Sequence, residues 1–107
     1  MKLLQVNYRR ELPNSDEEQA QRLLAAAEEI AKVSGLLWKI WLYDDESHLA
    51  GGIYLFDTEA NARAWGDGPM EPALAAFPGF DSVTKHYFDV DGTLSAITNG
   101  PLPTAGK

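Results

Sequence analysis

Two histidines, His48 and His86, are the only side chains in this 107-residue chain that titrate near neutral pH when unperturbed. His86 falls in the middle of DSVTKHYFDV and shares a face with Thr84 and Phe88. Buried there, an imidazole would serve either as a satisfied structural group or as a general base toward a phenol. His48 opens HLAGGIYLF beside an acidic turn of Asp44, Asp45 and Glu46. It reads as a locally paired surface residue or as a group facing a substrate. Imidazoles and carboxylates together suggest a metal, but these lack ligand spacing and adjacent turn carboxylates point outward, so no metal is expected.

Other residues carry chemistry through their neighbours. Lys39 stands in LLWKIW between Trp38 and Trp41 and shares a face with Trp41. A lysine among indoles extends to the rim, pairs with a carboxylate or meets a substrate, and the rim is the expectation. Asn7 lies in a strand otherwise able to be apolar, where a buried amide must be hydrogen-bonded. Trp65, near a helix end, reads as core, interface or pocket wall. Gly51 and Gly52 inside a strand, next to Tyr54, mark a bulge or a close approach of backbone or ligand.

The elements that must position these groups follow from periodicity. Leu3 to Arg9 alternates as a strand, with Leu4, Val6 and Tyr8 on one face. Ser15 to Glu18 has the form of a capping box, and Ala20, Leu23, Leu24, Ala27, Ile30 and Ala31 follow at helical spacing up to Ser34-Gly35. Leu36 to about Tyr43 is a second strand, His48 to Phe56 a third, and the short polar turn between them makes a hairpin. Asp57 or Thr58 caps a helix over Glu59 to Trp65; GDGP breaks it and a short helix restarts near Met70. Asp81 to Val90 is a fourth strand, and residues 92–107 are expected to be partly loop, with loose residues after Pro103.

The order βαββαβ predicts a ferredoxin-like α+β domain over residues 1–107, with two helical segments on one face of a four-stranded antiparallel sheet. LLWKIW breaks the pattern of a half-buried strand. Leu36, Trp38 and Ile40 point one way, Leu37, Lys39 and Trp41 the other, so both faces are apolar. Helices cover only one face, and monomers rarely expose a large apolar patch. A second copy facing the open side, as a homodimer, is the economical cover. One tryptophan then belongs to the core and the other to the dimer contact; Trp38 is assigned to the core and Trp41 to the contact, though strand parity alone does not decide it.

Composition excludes several classes. Sixteen acidic against nine basic residues, a formal charge of −7, disfavours nucleic acid and anionic membranes. The absence of cysteine rules out disulfides and thiolate sites and suits a reducing cytoplasm. No stretch has the length of a membrane span, and the N-terminal apolar run is too short for a signal peptide.

The stretches GLLWKIW, HLAGGIYLF and YFDVDGTLSAIT resemble the YdhR family of monooxygenases in the dimeric α+β barrel superfamily. The resemblance implies a homodimer with a pocket between sheet and helices in each subunit. Related enzymes oxidise quinol precursors with dioxygen, without metal or flavin, or degrade haem. Their oxygenases often use an asparagine on the first strand and a tryptophan on the second helix, where Asn7 and Trp65 stand here. Haem degraders add a histidine further along, where this chain has Ala73 to Ala76, which disfavours haem. The expectation is a cofactor-independent monooxygenase acting on a small aromatic or polyketide-like substrate. The resemblance assigns Asn7 and Trp65 to catalysis and the residue reading adds His86; Trp38, Lys39, Trp41, His48, Gly52 and Tyr54 would contact substrate. A non-catalytic ligand-binding dimer, and a cyclase or isomerase using the same pocket, are the alternatives.

Overall fold

A strand that buries every second side chain needs a cover on one face, and β1 (Lys2–Arg10) has that pattern. Leu4, Val6 and Tyr8 are buried, while Asn7 and Arg9 are exposed on the other side. The computed structural model describes residues 1–103; the expectation of loose residues after Pro103 lies outside them. The remaining elements are α1 (Glu17–Ile30), β2 (Leu36–Asp44), β3 (Leu49–Phe56), α2 (Glu59–Gly66), α3 (Met70–Ala75), β4 (Phe80–Asp89) and α4 (Gly92–Ile97).

The strands form one sheet in the order β2-β3-β1-β4, every neighbouring pair antiparallel. This is the ferredoxin-like α+β arrangement predicted from the element order. Its core gathers Leu4, Val6, Tyr8, Ala50, Tyr54 and Phe56 from the sheet against Ala62 and Met70 from the helical layer.

Both ends of β1 bury a charge, and each charge is paired, because an unpaired one would be expensive. Lys2 Nζ lies 2.8 Å from Asp89 and 3.6 Å from Glu59. Arg10 donates to Asp45 at 3.0 Å and sits 5.3 Å from the centre of the Tyr43 ring, tying β1 to the hairpin turn.

Several local expectations are corrected. The cap of α1 is Asp16, not Ser15: its carboxylate accepts the Gln19 N–H at 2.8 Å. The Pro13 carbonyl takes the Asp16 N–H at 3.0 Å, so a turn absorbs Ser15 and the helix starts one residue later. The helix also ends before Gly35. Its last turn relaxes through Lys32 N–H to Glu29 and Val33 N–H to Ile30, and Gly35 (φ 80) only reverses the chain into β2. The tail is partly loop, as expected: its ordered part is α4, which Asp91 caps by accepting the Leu94 N–H at 2.9 Å.

The most consequential correction is in LLWKIW. The β2–β3 register shifts between Leu36 and Trp38, so Leu36 packs with the helix-side core while Trp38 lies on the open face. Lys39 and Trp41 pair with Tyr54 and Gly52 and therefore face the helices. Trp41, 37% exposed, thus points to the helix side and Trp38 to the open face, the reverse of the faces assigned from sequence. The Trp38 indole donates to the Pro101 carbonyl at 2.7 Å, so the segment after β4 runs from one edge strand to the other.

The open face stays apolar, with Ile40 46%, Leu42 40% and Phe88 48% exposed. Among the described residues no helix is long and apolar enough to cross a membrane.

Candidate functional site

The helix-side face of the sheet is incompletely filled. Helix α1 buries only Gln19 fully and leaves Leu24 65% exposed, so it stands over the sheet rather than pressed into it. The space beneath is a cavity of about 160 Å³. Its floor is Val6, Tyr8, Lys39, Trp41, Gly52 and Tyr54; α1 contributes Leu23, Ala26 and Ile30. Trp65, Met70 and Leu74, together with Phe77 and Phe80, close the far end. The aromatic wall is continuous, since Phe80 stacks on Tyr8 at 4.3 Å and on Phe77 at 4.2 Å.

Two polar heads break this lining. Lys39 is half-buried, with Nζ 3.3 Å from the centre of the Trp41 ring and 4.5 Å from that of Tyr54. Among the described residues it makes no hydrogen bond or ion pair, so burial is uncompensated by any anion and lowers its pKa to about 7. The sequence-based expectation of a rim lysine is overturned: the amine folds back over two aromatic rings. The second head is the Trp65 indole N–H, which is buried near the Tyr54 hydroxyl but makes no hydrogen bond of good geometry among the described residues. A buried donor left unpaired costs roughly 1–3 kcal/mol, so it invites an acceptor. Trp65 lies 6.3 Å from Tyr54, ring centre to ring centre.

The tyrosines are held neutral. Burial pushes the Tyr8 hydroxyl up to about 12, and burial likewise raises Tyr54, which the neighbouring Trp65 only partly offsets.

The two glycines have separate reasons. A Cβ on Gly51 would overlap the Val6 carbonyl, so Gly51 allows the close approach of β1 and β3. A Cβ on Gly52 would lie 2.6 Å from Lys39 Cε, so Gly52 leaves the groove that the lysine stem occupies. Neither is a bulge, as the β1–β3 register is regular through both.

Lys39, Trp41, Gly52, Tyr54 and Trp65 are therefore brought together. Asn7 and His86 are not: Asn7 pairs with Gly51 and Thr84, His86 with Gln5, and both side chains project from the exposed, helix-free face. A single residue of parity separates them from the cavity. His48 sits in the hairpin turn at φ 58, its carbonyl accepting the Arg10 N–H at 2.8 Å, away from the cavity. Trp38 is on the open face with the tail. Tyr8 and the Phe77–Phe80 pair were missed as site residues. For Tyr8 the signal was present, since it shares strand parity with Val6 and Leu4.

A monooxygenase from the gene ActVA-Orf6 of Streptomyces coelicolor, in complex with nanaomycin D, is similar in structure at TM-score 0.65 and 16% identity. The match covers 85% of this chain and 88% of that one. The heme degrader MhuD of Mycobacterium tuberculosis, with two hemes in its active site, matches at TM-score 0.59 and 17% identity over 83% and 95% of the two chains. A hydroxynitrile lyase from Passiflora edulis matches at TM-score 0.56 and 12% identity over 85% and 94%. At these identities the likeness is one of fold, and the fold hosts several chemistries. No curated protein matches significantly by sequence. The family described as "Putative mono-oxygenase ydhR" matches residues 3–101, nearly the whole chain, and the chain belongs to that family.

Proposed function

We propose that this chain is a mono-oxygenase that holds a small, electron-rich aromatic substrate in the cavity between sheet and helices, where it reacts with dioxygen without metal or flavin. The observation that carries this reading is an apolar, aromatic-walled cavity lined by Trp65, whose buried indole N–H makes no hydrogen bond among the described residues. Such a wall excludes water from a reactive anion, and a fixed donor steadies charge that develops on a substrate oxygen.

The reaction class balances without an external reductant. An activated ring methylene gives up two hydrogens, takes one oxygen atom of dioxygen as a carbonyl, and the other oxygen leaves as water. The cavity volume, about 160 Å³, is close to that of cavities of roughly 150 Å³ that admit benzene. One ring therefore sits deep, with any further rings toward the mouth under α1. The nanaomycin-bound relative supports an aromatic polyketide-like substrate of this kind. Heme is a poor fit, because Ala73 to Ala76 offer no imidazole and the cavity is far smaller than a porphyrin.

The working form is a homodimer. Ile40, Leu42, Leu49 and Phe88 make an apolar, helix-free sheet face whose exposure a second copy would remove.

Oxygen uptake with anthrone-like and quinol substrates, in the presence of a chelator and without added flavin, tests the reading. Uptake with formation of the carbonyl product is expected, and Trp65→Phe should lower it. Binding of these compounds with no uptake would leave a ligand-binding dimer instead.

A further inference from the structure

We propose that Lys39 and Trp65 together form an oxyanion site, in which Lys39 Nζ takes the proton of a bound phenol or stabilised enol and the Trp65 indole N–H shares the resulting anion. This rests on the cavity being the substrate site, as proposed above, and adds the group that ionises the substrate. In the step the substrate O–H bond breaks, its electron pair stays on oxygen, and a new N–H bond forms on Lys39. No oxidant is involved; the anion is what would later react with dioxygen.

Three independent features support it. Both residues line the cavity: the amine is free of hydrogen bonds and ion pairs among the described residues, and the buried indole N–H has only the Tyr54 hydroxyl near it, short of hydrogen-bond geometry. Both lie against the same residue, Tyr54, from β2 on one side and α2 on the other. The backbone keeps room for the lysine: among the described glycines, Gly52 is the one where a Cβ would displace its stem. A rim lysine needs no such groove.

The surroundings decide the direction of proton transfer. The Lys39 amine lies against Trp41 of its own strand and Tyr54 of β3, and the cavity beside it is also lined by Tyr8 from β1, Trp65 from α2 and Glu29 from α1. The tyrosines are neutral and the tryptophans uncharged. Glu29 is the sole carboxylate lining the cavity among the described residues, and it is exposed, 3.6 Å from Lys32. Above about pH 7 an empty cavity thus favours the free amine; below it Lys39 keeps its proton and would pair directly with a bound phenolate. A phenol supplies both the proton and the counter-charge, producing an ammonium–phenolate pair over the Trp41 face, where the ring quadrupole also favours the cation. The indole N–H gains the acceptor that it lacks.

The test uses p-nitrophenol, whose anion absorbs in the visible and whose neutral form does not, titrated into the intact protein at pH 6. The expected result is a bound-state phenolate band at a pH where the free probe is largely protonated. In Lys39→Met that band should vanish and affinity should fall roughly ten- to a hundredfold, the range for a hydrogen bond to a charged group. Trp65→Phe should keep the band but weaken binding. The proposal is overturned if the wild-type protein binds the neutral phenol, if it binds none, or if Lys39→Met keeps the band. Loss of the band in Glu29→Gln with retention in Lys39→Met would move the role to Glu29 and equally overturn it. The wild-type spectrum decides the matter even if a variant fails to fold. Phenolate binding without oxygen uptake would sink the mono-oxygenase reading and leave this one standing; oxygen uptake with an unaltered pH profile in Lys39→Met would do the reverse.

Discussion

Replacing Lys39 by methionine should stabilise the protein near neutral pH, and the gain should disappear as the solution becomes alkaline. Burial lowers the Lys39 pKa from the ordinary 10.5 to about 7, with no anion in contact among the described residues to oppose it. The difference, 10.5 − 7 = 3.5, sets a ceiling of about 5 kcal/mol on the cost of charging the folded protein at 1.36 kcal/mol per unit. Access of water at the cavity mouth and the flanking Trp41 and Tyr54 rings reduce this, so a gain of roughly 2–3 kcal/mol is the working figure. The sign follows from proton counts. Below about pH 7 both states carry the proton and the folded state bears the whole penalty. Between about 7 and 10.5 the unfolded chain holds the proton and the folded one does not, so wild-type stability rises with pH through that window. Above it both are neutral. Urea unfolding of both proteins at pH 6, 8 and 10, at one protein concentration because association contributes to stability, reads the effect. Met fills a similar volume and adds a constant offset, so the difference between pH values is the decisive quantity. A gap between the two proteins that does not change with pH would refute the reasoning, and Lys39 would then be solvated.

Other outcomes follow from the same geometry. Gly52→Ala should fold, because the atom it meets is near the end of a flexible side chain, yet it should displace the Lys39 head and raise the apparent pKa of bound p-nitrophenol. Gly51→Ala should instead destabilise by several kcal/mol on urea unfolding, because its Cβ overlaps the Val6 backbone carbonyl. Arg10→Ala should cost about 2–4 kcal/mol in the same assay, since it removes a buried cation that ties β1 to Asp45 and Tyr43. Leu42→Glu should convert a dimer to a monomer in sedimentation at micromolar concentration; a wild-type monomer would remove the argument for a covered open face. Asn7→Ala and His86→Ala lie on that face and should alter self-association rather than the p-nitrophenol spectrum. An altered spectrum in either would move the site to the other side of the sheet.

The order of elements was legible in the sequence because it depends on local signals. Alternation in LLQVNYR, the 3.6-residue spacing of Leu23, Ala27 and Ile30, the short turn between LLWKIWLY and HLAGGIYLF, and glycines ahead of β2 and β4 all act within a few residues. They are enough to specify βαββαβ, and the two-faced character of LLWKIW already asked for covers on both sides of the sheet.

What the strand faces look toward was decided only by the tertiary structure. One irregular pairing between Leu36 and Trp38 reverses the parity of β2's first residue relative to the rest, and parity has a period of two, so a single step sends a side chain to the opposite face. The same arithmetic puts Asn7 and His86 on the open side and Val6 and Tyr8 on the cavity side. Lys39 shows the limit most plainly. Its place beside Trp41 is written in the chain, but whether its amine reaches water or turns inward depends on the gap under α1, the groove at Gly52 and, among the described residues, the lack of a carboxylate in contact with it. The gap and the groove come from α1 and β3, on either side of β2 in the chain, and only their packing brings them together around one nitrogen.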